Sequence, residues 1–326
     1  MFSSFSNKTI SPYTLSEARD LSSLHRHPLF IAGIVFRFIL IVFTTPIFQT
    51  KWFLPFIEHS IKNPLDPWTS FVASGGDIAA FPYGSIMYLI YLPFVYIGQL
   101  IDNLLGLGLF SGYGLNFTTS LLDYGVLIAI VVLSRNYSKR LILLSYWCSP
   151  VVLFINYWHG QLDILPVSLL IWGLCFLKWK RPIASASLIG LAINAKFSLY
   201  AAVPFIIIYL YRNRRLRHEI IPFITSLSIT LSLFYIPNLM SSGFHEMVLA
   251  TQEASKLTTL YISYGQGIKV FLLPIGYLIS LYFLWRLQRI TFDLFIIATG
   301  LGFFAILILL PPSPGWYLWV YPFLVF

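Results

Sequence analysis

Charge is what this chain has least of. Only 10% of its 326 residues are Asp, Glu, Lys or Arg, against 58% hydrophobic and 18% aromatic, and the mean hydropathy is +0.79. A soluble domain carries about a quarter of its residues as charges, so a soluble enzyme is excluded and a polytopic helical membrane protein is indicated. The apolar runs are continuous and lack alternation of period two, which argues against a β-barrel. Cysteine is scarce as well: Cys148 and Cys175 both fall inside apolar runs and read as small buried hydrophobes, not as a disulfide or metal pair. No glycine-rich phosphate loop, zinc-ligand spacing, serine-nucleophile elbow or nucleotide fingerprint occurs.

What charge there is carries topology. The formal balance is +9, yet the basic residues sit in short clusters, Lys139-Arg140, Lys178 to Arg181, Arg212 to Arg217 and Arg286 to Arg289. These mark cytoplasmic loops under the positive-inside rule, and they form no patch suited to nucleic acid. Residues 1–27 are polar, lack a signal-peptide pattern and read as a cytoplasmic arm. A first span covers about Pro28 to Phe48 and contains Arg37, which either snorkels or packs within the bundle or serves a function. Residues 49–81 form an external loop rich in aromatic residues, proline and glycine, with two carboxylates, Asp66 and Asp77. Asp66 precedes Pro67 and is expected to cap a short helix, a role that does not exclude catalysis.

Between this loop and Arg135 an odd number of crossings is needed. Either residues 83–116 form a hairpin or re-entrant segment, or the rule fails at 135–140. A comparable conflict follows Arg181. About 30 residues separate two basic clusters, too few for two full spans. Two half-helices meeting at Asn194 to Ser198 would place Lys196 near mid-membrane depth, where broken backbone must line a cavity or be buried in protein. The alternative is one long tilted helix. The external loop 240–267 holds His245, Glu246, Glu253 and Lys256, of which the first three read as solvated. The sequence stops inside an apolar run at Phe326, which suggests a truncated chain or a final span that barely crosses.

The focus of the chain is Tyr157-Trp-His-Gly-Gln-Leu-Asp163, a polar cluster between two lipid-compatible runs. His159, Gln161 and Asp163 would either cap a helix end or sit at a water-filled mouth. Trp158 and Trp316 read as interfacial belt residues.

The order of these features resembles the GT-C-type membrane glycosyltransferases. Gly160-Gln161-Leu162-Asp163 resembles their Gly-Gln-x-Asp segment. Gly190 to Lys196 is similar to their small-residue stretch ending in lysine, and Phe81-Pro82-Tyr83 and Pro314-Gly-Trp-Tyr-Leu-Trp319 resemble their proline/aromatic turns. Asp66 comes some way into the loop and has no paired acidic motif, a departure that leaves Asp66 and Asp77 both open as the base and argues against a metal.

The resemblance implies an all-α transmembrane bundle of about 8 to 10 spans with a large first external loop and a broken or re-entrant helix pair. It implies a hexosyltransferase, similar to mannosyltransferases, that takes a sugar from a polyprenyl-phosphate donor to a glycan or lipid-linked acceptor hydroxyl with inversion and without a cofactor. Asp66 or Asp77 would be the general base. Lys196, with Arg37, would stabilise the leaving phosphate, and His159, Gln161, Asp163 and Tyr317 would bind substrate. The expected setting is a bacterial inner membrane with the site on the non-cytoplasmic face, among membrane lipids and with room for a partner subunit. A transporter or flippase of a lipid-linked or anionic solute, and a non-catalytic subunit of a membrane assembly, are the alternatives.

Overall fold

The computed structural model of the chain describes residues 22–134, 137–251, 256–310 and 312–325. Most of the expected arm, together with Arg135, Glu253 and Phe326, lies outside the described residues. The architecture is an all-α bundle. Its helices are α1 (Pro28–Phe43), α2 (Leu54–Lys62), α3 (Pro67–Ala73), α4 (Ser85–Leu105) and α5 (Phe110–Leu133), then a π-interrupted α6 (Lys139–His159). They continue with α7 (Ile164–Lys178), α8 (Pro182–Ala195), α9 (Val203–Arg212), α10 (Ile220–Asn238), α11 (Leu272–Arg286) and α12 (Phe292–Leu309). Among the described residues the only strands are β1 (Tyr261–Tyr264) and β2 (Ile268–Phe271), an antiparallel hairpin.

Among the described residues five helical stretches are long and apolar enough to cross a membrane, and five shorter apolar helices accompany them. Proline sets several of the starts. Pro28, Pro67 and Pro182 occupy first turns, where a missing N–H costs nothing. The His27 and Asp66 side chains accept the first free N–H groups of α1 and α3.

The basic loops share one end of the bundle. Lys178 Nζ donates to the carbonyls of Val132 and Leu133 at the end of α5 (3.2 and 2.8 Å), and Lys139 bonds Ser23 just before α1. Arg212 donates to the Leu287 carbonyl just beyond α11.

From that end the odd crossing count resolves as a hairpin. The N–H of Gly84 donates to Ala195 O, so α4 begins beside the tip of α8. At its other end Asp102 accepts from the N–H groups of Leu109, Phe110 and Ser111, closing the turn into α5. Of the two, only α5 returns to the basic end.

The second conflict resolves as a break. α8 rises 14 residues from the basic end, about 21 Å at 1.5 Å per residue. Lys196 then turns extended (φ −150°, ψ 118°), a 3₁₀ turn covers Phe197–Ala202, and α9 descends to Arg212. Lys196 therefore sits at the apex of two half-helices, as the interval between basic loops requires. Two apolar clusters flank it. One joins α5 through α9 with α12 and the C-terminal turns, and the other joins α2, α3 and α4 to residues 244–248.

Candidate active site at the broken helix

α7 starts after a π-helical turn over Phe154–His159 that ends in Gly160 at φ 80°, ψ 32°. A side chain there would be strained by this backbone and would also collide with Pro46 Cβ and Gln49 Cγ, so glycine is required twice over. The turn swings Gln161 and Asp163 inward. Asp163 precedes the first residue of α7 but does not cap it. Its Oδ1 instead lies 2.8 Å from Lys196 Nζ and accepts the indole N–H of Trp319 at 2.8 Å. The Tyr83 hydroxyl stands 3.3 Å from both Asp163 Oδ2 and Gln161 Oε1, and Gln161 Nε2 donates to Ser313 Oγ at 3.3 Å. Gly315 packs so closely that a Cβ would lie 2.7 Å from the Asp163 and Gln161 oxygens.

Lys196 is 8% exposed, and that small exposure faces two cavities. Its ammonium lies within 6 Å of the Tyr83, Trp316 and Trp319 rings, whose faces favour a cation. On one side is a mostly apolar cavity of about 590 Å³ walled by Tyr200, Leu257, Leu273, Tyr277, Ile306 and Leu310. On the other is a more polar cavity of about 340 Å³ bordered by Trp52, Tyr83, Gln161, Glu246, Lys256 and Ser313. The two share Pro82, Lys196, Thr251 and Trp316. Lys256 also approaches Trp316, its ammonium 5.2 Å from the ring.

Gln161, Asp163 and Lys196 are thus brought together, and the other candidates fall elsewhere. Asp66 caps α3 through the N–H of Thr69 (3.2 Å) and accepts the Ser241 hydroxyl at 2.6 Å, joining the first loop to the segment that continues to Glu246. Asp77 is exposed and accepts the N–H of Ala79, and the adjacent Ile78 and Ala79 border the polar cavity. His159 stacks on Phe48 with ring centroids 4.5 Å apart. Tyr317 is exposed and borders neither cavity.

Arg37 is closed into a separate buried network. Its Nε and Nη2 meet Asp123 Oδ2 at 2.8 and 2.7 Å, its Nη1 donates to the Gly33 and Trp147 carbonyls, and its guanidinium lies 3.4 Å over the Trp147 ring. Tyr146 and Tyr157 hydroxyls donate to the same carboxylate at 2.8 and 3.0 Å.

Trp158 is exposed as a belt residue should be, but Trp316 is buried and borders both cavities. Trp319, Tyr83 as a partner of Asp163, and Asp123 carry no signal in the linear pattern beyond the aromatic turns that contain the first two. Glu246, read as solvated, borders the polar cavity together with Lys256.

No curated protein and no solved structure matches the chain significantly. The sequence profile of glycosyltransferase family 87 matches residues 81–254, just over half the chain, from the tyrosine turn through the Asp163 and Lys196 segments to the edge of the cavities. A multi-pass helical bundle with a buried lysine between two cavities, matched over this stretch, belongs to glycosyltransferase family 87, a family of GT-C-type membrane glycosyltransferases.

Proposed function

We propose that this chain transfers a hexose, with mannose the first to test, from a polyprenyl-phosphate donor to a hydroxyl of a glycan or lipid-linked acceptor, with inversion. The observation that carries this reading is the position of Lys196 between an apolar and a polar cavity. A lipid-phosphate sugar has the same order of parts: apolar chain, anion, polyhydroxyl ring. The lysine has three N–H donors, one of which reaches Asp163. The others are available to the phosphate oxygens as negative charge develops on the leaving group, in surroundings where water screens little. Asp163 orients the ammonium, held in turn by Trp319 and Tyr83. Gln161 borders the sugar side.

The acceptor hydroxyl needs a carboxylate to take its proton. Asp66 is the proposed base. Its Oδ1 is fixed by Thr69 and Ser241, which sets the direction of Oδ2. Asp77, next to Ile78 and Ala79 at the border of the polar cavity, is the second candidate. Arg37, closed in its own pair, has no part in the chemistry. With the basic loops taken as cytoplasmic, the proposed site belongs to the non-cytoplasmic side. The proposed setting is a bacterial inner membrane.

The test is transfer by the lipid-reconstituted protein offered a panel of polyprenyl-phosphate sugars. One donor should be consumed, and Asp66→Asn should lower turnover by about 100-fold or more while Asp77→Asn retains most of it. The reverse ranking makes Asp77 the base. A donor that binds and crosses the bilayer without being consumed replaces the transferase with a transporter.

A further inference from the structure

The β-hairpin that precedes α11 holds the only strands among the described residues, and its two faces differ. Tyr261 pairs with Phe271, Ile262 with Val270, Ser263 with Lys269 and Tyr264 with Ile268. Directly paired residues share a face and successive residues alternate. One face therefore carries Ile262, Tyr264, Ile268 and Val270, and the other carries Tyr261, Ser263, Lys269 and Phe271.

The second face is satisfied within itself. The Lys269 ammonium lies 4.5 Å over the Tyr261 ring, and Tyr261 meets Phe271 edge-on at 6.2 Å. The first face has no charge and belongs to neither apolar cluster. Its Ile262, Tyr264 and Ile268 are 49%, 61% and 59% exposed. Placed in water, this face would be an unexplained apolar surface.

Its continuity with the membrane-facing flank of the bundle decides what covers it. β2 ends at Phe271 and α11 begins at Leu272 with no residue between them, and the N–H of Leu272 donates to Leu260 O at 3.0 Å, tying the base of the hairpin to the helix. Along α11, before Arg286 at its basic end, the exposed large side chains are Ile275, Leu278, Ile279, Tyr282, Phe283 and Trp285, an apolar strip suited to lipid. The hairpin carries that strip past the helix end. Its only cation lies on the opposite face, and tyrosine is a residue of the interface.

We infer that the Ile262, Tyr264, Ile268 and Val270 face lies in the headgroup and acyl boundary of the leaflet at the cavity end of the bundle. Its occupant is membrane lipid, not a protein partner. Leu257, Leu273 and Pro274, close to the two ends of the hairpin in sequence, border the apolar cavity, so the immersed hairpin stands beside the side of that cavity from which a lipid chain would arrive. The docking itself rests only on the chain being a membrane protein and does not depend on the proposed transfer reaction.

The experiment uses the full chain in lipid nanodiscs, with an environment-sensitive fluorophore on single cysteines in a Cys148→Ser, Cys175→Ala background. Labels at Ile268→Cys and Tyr264→Cys should be quenched by nitroxide-bearing lipid and shielded from aqueous iodide, and labels at Ser263→Cys and Lys269→Cys should show the reverse. If the cysteine-free background fails to fold, a photoreactive phenylalanine analogue at 268 or 269 of the otherwise native chain reads the same contrast, with lipid adducts expected at 268 alone. Iodide reaching both faces equally overturns the inference. So does an Ile268 label shielded from both iodide and lipid nitroxide, which would mean that protein covers the face.

Discussion

Arg37–Asp123 and Lys196–Asp163 are the two buried ion pairs among the described residues, and both are set among tyrosine and tryptophan. The first is closed. The guanidinium is bound by Asp123 and two main-chain carbonyls, two tyrosine hydroxyls complete the carboxylate, and neither member borders either of the two cavities at Lys196. The second is open on the lysine side. Asp163 is held by Trp319 and Tyr83, while the ammonium borders two cavities and meets only aromatic faces besides its carboxylate. A buried pair costs desolvation energy that its own attraction need not repay. In the closed network the return is the fixing of α1, α5 and α6 against one another. At the open pair it is a cation kept dry and oriented for an anion.

The sharpest way to break this comparison is to neutralise each pair completely, so that no charge is stranded. Lys196→Met with Asp163→Leu should keep the fold and lose transfer by about 1,000-fold, the scale of removing an electrostatic stabiliser from a transition state. Arg37→Met with Asp123→Leu should keep transfer within about tenfold. Turnover per folded molecule in nanodiscs measures both, and similar losses from the two doubles would end the distinction.

Single substitutions expose the difference in stability. Arg37→Ala leaves Asp123 uncompensated in a dry site and should destabilise the chain by about 3–5 kcal/mol. Lys196→Ala should cost less, because cavity water can reach what it leaves. Denaturation midpoints of the two variants give the order.

Within the open pair, Trp319→Phe removes the indole donor to Asp163 and should lower transfer by about tenfold, as loss of a hydrogen bond to a charged group of about 1.5 kcal/mol does. The pair itself should remain, with Tyr83 still beside the carboxylate.

The smallest effect lies outside both pairs, at Glu58 of α2. Burial pushes its carboxyl up, Ser111 opposes the shift by a hydrogen bond and Asp102 adds to it. The folded chain then holds a proton that the unfolded chain has released, so this group's contribution to stability falls as pH rises from the ordinary carboxylate value through the raised one. Glu58→Gln should flatten the dependence of the melting temperature on pH just above the ordinary carboxylate value. A steeper dependence would reverse the sign assigned here.

Lys196 was legible in the sequence because length and charge collide around it. Two basic clusters face the same side, and the interval between them cannot hold two spans. Gln161 and Asp163 were legible because polar groups between two apolar runs need a cavity or a cap. Asp123 was not, since it sits inside an ordinary span and its meaning comes from Arg37, 86 residues earlier. Trp319 was equally hidden, its partner Asp163 being 156 residues away. Trp316 shows the same limit in reverse. A tryptophan at the start of an apolar run reads as a belt residue, and only the neighbouring chain turns it inward.

By itself the sequence determined the solvent of the fold, its helical class, the ends marked by basic loops, the half-helix break and the cap at Asp66. All of these follow from local composition, proline placement and the fixed rise of a helix. The tertiary structure alone decided which carboxylate met which cation, which aromatic rings surrounded Lys196, and that an apolar and a polar cavity adjoin there. These depend on how separate helices pack, and no local preference of the chain encodes a contact between residues a hundred positions apart.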